Sequence, residues 1–125
     1  MSEPELSADL RRFILTSVPS VPYLEAVLLL RAEADREWDA SQLARRLYVP
    51  ERTGAELLDL LRSSSVGTPV GAAGLRYAPA PELADLLDRL AQAYATNLVA
   101  VTDLIHSRID RRAQQFADAF RFRKE

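Results

Sequence analysis

Helical periodicity, interrupted at a single place, constrains this chain more than any other feature. Leu6, Leu10, Phe13 and Ile14 stand at i, i+4, i+7 and i+8, the stripe of an amphipathic helix. Ser17-Val18-Pro19-Ser20-Val21-Pro22 breaks that stripe, and a proline at a first helical position predicts a second helix over 22–35. With Leu24, Val27, Leu28 and Leu30 it is apolar around most of its circumference and belongs in the core. Asp39 is placed to cap a third helix over 40–47. Gln42 stands at the capping-box position, and Leu43, Ala44 and Leu47 form the inward stripe. Pro50 fits the first position of a fourth helix, whose stripe is Leu57, Leu58 and Leu61 and which ends at Ser63-Ser64-Ser65. Only over 66–78 does the pattern change. Two short runs there flank Gly71-Ala72-Ala73-Gly74, a β-hairpin signature closed by Pro79 and Pro81.

From Glu82 helical spacing resumes and is expected to hold to residue 108. Leu83, Leu87, Leu90, Tyr94, Asn97, Val101 and Leu104 alternate steps of four and three, as in a coiled-coil seam. A helix over 82–108 would be roughly 40 Å long. That matches the width of a whole domain of this size, so one core would not cover it. The seam therefore marks a candidate dimer interface, with Asn97 as a register-setting polar break, and the first helix is expected to take part in the same dimer. A last helix over 111–120 would carry Ala113, Phe116 and Phe120 on one side. The expected fold class is mainly α with a small β-hairpin, divided into 1–81 and 82–125.

Composition removes several classes of function. With 48% hydrophobic and 27% charged residues the chain is globular rather than disordered. It has no cysteine, which excludes a disulfide scaffold, a thiolate metal site and a cysteine nucleophile. His106 is the only histidine, and Asp103 is the lone carboxylate at ligand spacing, so no metal site is expected. No catalytic triad or phosphate loop is present, so neither an enzyme nor a cofactor is expected. The acidic start lacks the basic region of a signal peptide. The longest apolar run, Ala26 to Leu30, is far short of a membrane span. A cytoplasmic setting is the expectation. Sixteen basic against eighteen acidic residues give a net charge of −2, which points to no partner class.

The order of helix, helix, helix-turn-helix, hairpin and long helix resembles the winged helix-turn-helix domain of MarR-like bacterial transcriptional regulators. Residues 39–61 carry the resemblance: Leu43, Ala44 and Leu47 on the support helix, Val49 in the turn, and Leu57, Leu58 and Leu61 on the second helix. The hairpin at 66–78 resembles the wing, and 82–108 the long dimerisation helix. The resemblance implies a homodimer whose second helix lies in the major groove of duplex DNA while the wing follows the backbone. Four positions depart from the family pattern, one of them Glu56, which stands where a basic or polar DNA-contacting residue is usual. Tyr48 replaces the usual turn glycine, Pro50 replaces a Ser/Thr cap, and Gly54 stands where a helix former is usual.

On that template the candidate DNA-contacting residues are Arg45 and Arg46 on the support helix, Arg52 and Thr53 at the start of the second, and Arg76 on the wing. Charge pulls the other way. From Pro50 to Ser65 the chain has Arg52 and Arg62 against Glu51, Glu56 and Asp59, a net −1. Phosphate neutralisation supplies most non-specific DNA affinity, and such a head supplies little. Two functions therefore stay open: a regulator that binds duplex DNA as a homodimer, and a winged-helix module whose partner is a protein. Trp38, just before the support helix, is expected to be structural, bridging the strand-like residues before the motif and the core, rather than a ligand platform. The basic stretch from Arg108 on, with Phe120-Arg121-Phe122-Arg123, has two readings: a helix whose Phe116 and Phe120 dock on the first helix, which is favoured, and a tail that binds nucleic acid, an acidic partner or a membrane surface.

Overall fold

A computed structural model describes residues 6–107. The expected last helix over 111–120 and the Phe-Arg tail lie outside these residues. The described chain is mainly helical with one small antiparallel sheet. Its elements are α1 (Ala8–Ser17), α2 (Val21–Ala32), β1 (Glu37–Trp38), α3 (Ala40–Leu47), α4 (Glu51–Ser63), β2 (Gly67–Val70), β3 (Gly74–Tyr77) and α5 (Pro81–Thr96). A further helix, α6 (Leu98–Ser107), follows. Two compact units divide the described residues: residues 22–91 form one, and the segments 6–21 and 92–107 form the other.

Within residues 22–91, α2 has the all-round apolar character read from its sequence, burying Tyr23, Leu24, Ala26, Val27 and Leu30. The sheet has the order β1-β3-β2, both pairings antiparallel. Trp38 lies opposite Leu75 across β1 and β3, and both are fully buried. Strand-like residues were expected before the support helix, but not their pairing with the hairpin as β1. Two residues are too few to show alternation, so only the partner strand makes Glu37-Trp38 a strand.

Helix α3 begins with the expected capping box. The Gln42 amide N–H donates to Asp39 Oδ1 at 2.8 Å, and the Asp39 N–H donates to Gln42 Oε1 at 3.1 Å. The α3 end is closed by Tyr48 in the left-handed region (φ 58°, ψ 44°), with the Val49 N–H reaching back to Ala44 O at 3.0 Å. Helix α4 repeats the device: Ser65 has φ 63°, and the Val66 N–H donates to Leu61 O at 3.1 Å. Pro50 stands one position earlier than expected, as the residue before the first turn of α4, where its missing N–H costs nothing.

Gly54 turns out to be a packing requirement. A Cβ there would lie 2.5 Å from Ala40 O and 2.9 Å from Ala44 Cβ, so α3 and α4 meet backbone against backbone. Leu43, Ala44, Leu57, Leu58 and Leu61 are buried around that contact.

The single helix expected over 82–108 is two helices, which meet at Asn97. Backbone bonds run through the junction, from the Asn97 N–H to Ala93 O and from the Val101 N–H to Asn97 O. Local chemistry accounts for the break. Thr96 Oγ1 donates to Gln92 O at 2.8 Å and Thr102 Oγ1 to Leu98 O at 3.0 Å, back-bonds that bend helices, and Asn97 between them is a weak helix former. The seam differs as well. Leu87, Leu90 and Val101 are fully buried within the single chain, while Leu83, Tyr94, Asn97 and Leu104 are half-buried. The 3.5-residue spacing of a coiled coil and the inward stripe of an ordinary core helix overlap over this length, so periodicity alone did not separate them. Among the described residues no single helix is long and apolar enough to cross a membrane.

Candidate functional site

The surface around the α3–α4 turn and the outer side of α4 holds most of the candidate residues. Arg45 on α3 is exposed and makes no ion pair among the described residues. Its neighbour Arg46 does not stand free: it forms an ion pair with Glu33, and its guanidinium lies 5.3 Å from the centre of the Trp38 ring. Arg36 approaches the same ring at 4.4 Å and the same carboxylate at 3.2 Å. Trp38 is therefore structural, as expected, and its ring is also a platform over which two arginines gather around one glutamate. The Arg46 hydrogen bond, helped by Arg36, holds the Glu33 carboxyl below its usual range against a smaller opposing effect of desolvation. Glu33 and Arg36 were not among the sequence candidates, because nothing in their spacing places them against Arg46, thirteen residues on from Glu33.

On α4, Arg52 lies 3.5 Å from Glu56, one turn along the same helix. Arg62 is paired in the same way with Asp59 at 3.1 Å. Both arginines of α4 thus face acids of α4, and Glu51 adds a further negative charge in the first turn. Thr53 is half-buried. The outer row of the helix reads Arg52, Glu56, Asp59, Leu60 and Ser63, with Leu60 partly exposed. Tyr48, at the turn, is 94% exposed. Its sequence signal is a tyrosine at a turn whose left-handed conformation favours glycine.

Arg76 is exposed on β3, the central strand, with Glu37 and Thr68 as its cross-strand neighbours. It thus stands on the body of the sheet rather than at the β2–β3 turn, where Gly71, Ala72 and Ala73 bear no charge. Residues 22–91 carry eight arginines against eleven carboxylates. Trp38 Nε1 and Tyr77 Oη, both buried, have no hydrogen-bond partner among the described residues. Among the described residues no group of His, Asp and Glu could hold a metal ion, and His106 is exposed on α6. Comparison of the chain with protein-family models, with curated proteins and with solved structures finds no significant match.

Proposed function

We propose that residues 22–91 are a winged helix-turn-helix domain whose α3–α4 turn and outer α4 face bind a protein surface. The order α2, β1, α3, α4, β2, β3, α5 supports the fold reading, as do the left-handed turn at Tyr48 and the close approach at Gly54. A fold of this kind hosts more than one function, so the site has to carry the argument. The observation that carries it is the charge of the head. Both arginines of α4 pair with its own acids, Arg46 is held by Glu33, and the helix keeps a net −1. An acid-rich face bearing Leu60, beside a fully exposed tyrosine, suits a basic partner surface with an apolar centre.

Duplex DNA is the second reading, and two observations favour it. Arg45 and Arg76 make no ion pair among the described residues. The Arg52–Glu56 pair is so exposed that it holds Arg52 by well under about 1 kcal/mol, leaving it free to turn to a phosphate.

Fluorescence anisotropy with a labelled random duplex, at about 50 and about 200 mM salt, separates the two readings. The protein-binding reading expects no micromolar binding at either salt. It also expects a host protein that co-purifies with the wild type to be lost on Glu56→Arg. Micromolar duplex binding that falls steeply with salt, and weakens on Arg52→Glu but not on Arg89→Glu, overturns it in favour of DNA.

A further inference from the structure

The arginines of residues 22–91 are held to very different degrees. On α4 the Arg52 side chain is 90% exposed despite its pairing with Glu56, so water and competing anions reach it freely. Around Glu33 the arrangement is tighter. Each carboxylate oxygen takes a different guanidinium, Oε1 that of Arg36 at 3.2 Å and Oε2 that of Arg46. Both guanidiniums also lie against the Trp38 ring, 4.4 and 5.3 Å from its centre, and that ring is fully buried. An arginine placed in this way surrenders two attractions, to a carboxylate and to a ring face, before it can turn elsewhere. The backbone fixes the carboxylate in turn. The Glu33 N–H donates to Leu29 O at 3.2 Å as α2 ends, and the Arg36 N–H donates to Glu33 O at 3.0 Å. The turn after α2 thus delivers Glu33 to α3.

The other nearby acids do not share this work. Glu37 and Trp38 are consecutive strand residues, so Glu37 points to the opposite face of the sheet, where Arg76 is its cross-strand neighbour. Asp39 is occupied by the Gln42 N–H in the α3 cap. Asp35, exposed in the turn, pairs with neither arginine. The acids of α4 engage Arg52 and Arg62. Without Glu33, therefore, Arg36 and Arg46 would join Arg45 as three uncommitted cations on and beside α3. Discrimination between partners depends as much on what is withheld from the wrong one as on what is offered to the right one. We propose that Glu33 is a specificity determinant: by holding Arg36 and Arg46 on Trp38 it denies a phosphate backbone its grip on the α3 surface, a role that rests on the protein-binding reading of the neighbouring α4 face. Glu33 does this from outside that face, and no residue of the α3–α4 turn or of α4 takes part.

Glu33→Gln removes the charge and keeps the shape. The full chain is titrated, to roughly 300 µM, into a labelled random duplex at about 50 and about 200 mM salt, and anisotropy is read. With about 1 M salt as the reference, one added phosphate contact tightens binding about tenfold at the lower salt and about fourfold at the higher. Glu33→Gln is expected to bind at least about fivefold more tightly than the wild type at about 50 mM salt, with a smaller gain at about 200 mM. Glu82→Gln removes the same charge from an exposed position at the start of α5. It is expected to stay within about twofold of the wild type, since no arginine is released. Adding Arg46→Gln to Glu33→Gln is expected to return the affinity to the wild-type level, with helical circular dichroism unchanged in every variant. A smaller gain from Glu33→Gln overturns the inference, as does no binding by either protein, an equal gain from Glu82→Gln, or a gain that survives Arg46→Gln. The ratio of variant to wild type reads Glu33 whatever the wild-type affinity is. Micromolar duplex binding by the wild type itself refutes the protein-binding reading instead, so the two failures are told apart.

Discussion

Gly54→Ala sets two effects of known size against each other. In an exposed helix interior the change would stabilise by about 1 kcal/mol, through helix propensity and a less flexible unfolded chain. At this position the new methyl would stand 2.5 Å from Ala40 O, 2.9 Å from Ala44 Cβ and 3.2 Å from the Ala44 amide nitrogen. Two of those three atoms are backbone, so no rotamer change relieves the clash. Restoring ordinary contact moves α3 and α4 apart by about 1 Å. A gap of that size forfeits roughly a quarter to a half of each dispersion contact between Leu43, Leu57, Leu58 and Leu61. Overpacking of this kind costs about 1–3 kcal/mol, with backbone clashes at the upper end. Setting about 3 against about 1 leaves a net loss of roughly 2 kcal/mol. At roughly 4 °C per kcal/mol for a chain of this size, Tm falls by about 8 °C. Thermal denaturation followed by circular dichroism measures it. The neighbouring Ala55→Gly, on the exposed side of the same helix, shows the propensity effect alone as a loss of about 1 kcal/mol. A Gly54→Ala variant that melts at or above the wild-type temperature would mean that the two helices do not meet backbone to backbone, and the proposed winged-helix reading would lose one of its supports.

Tyr48→Gly is expected to stabilise the fold by about 0.5–1 kcal/mol. It relieves a left-handed residue and uncovers almost nothing, and the gain is read as a higher urea midpoint at unchanged slope. The same variant loses the partner if the turn is the contact surface, so stability and binding move in opposite directions. Leu90→Asp is expected to unfold the chain, at a cost of at least about 3 kcal/mol, because the side chain is fully buried within one copy. A folded Leu90→Asp variant with an altered mass would return this residue to an interface. Burial raises the Tyr23 hydroxyl above its usual range, against a smaller lowering by its 2.7 Å bond to Ser64. The folded-state value is the higher one. The associated stability is therefore complete below the ordinary phenol value near about 10, and is lost as pH rises through the raised one. Unfolding free energy should decline above about pH 10, less steeply in Tyr23→Phe; parallel declines in the two proteins would refute the assignment.

Much of this fold could be read along the chain because its determinants are local. The α3 capping box needs only Asp39 and Gln42 three residues apart, and the hairpin needs only its glycines at 71 and 74 between two short runs. Helix α2 declared its burial by having no polar face. The candidate site was less legible. Arg45, Arg46, Arg52 and Arg76 look alike as sequence, and each has an acid within six residues. Which of them is neutralised depends on where the chain returns.

Local spacing and turn chemistry were thus enough for the positions and types of most helices and for the hairpin. The acid-rich second helix and the absence of thiol chemistry follow from composition alone. Contacts between distant residues decided the rest. Glu33 holds Arg46 because α2 ends beside α3, and β1 exists because β3 lies against it. Gly54 is required because α3 crosses it at backbone distance. Leu90 and Leu98 are the same residue type eight positions apart, and only the packed chain makes one fully buried and the other half exposed. A helical repeat specifies which residues share a face, but not whether that face meets its own core, a second copy or water, since burial belongs to the pair of surfaces and not to either alone.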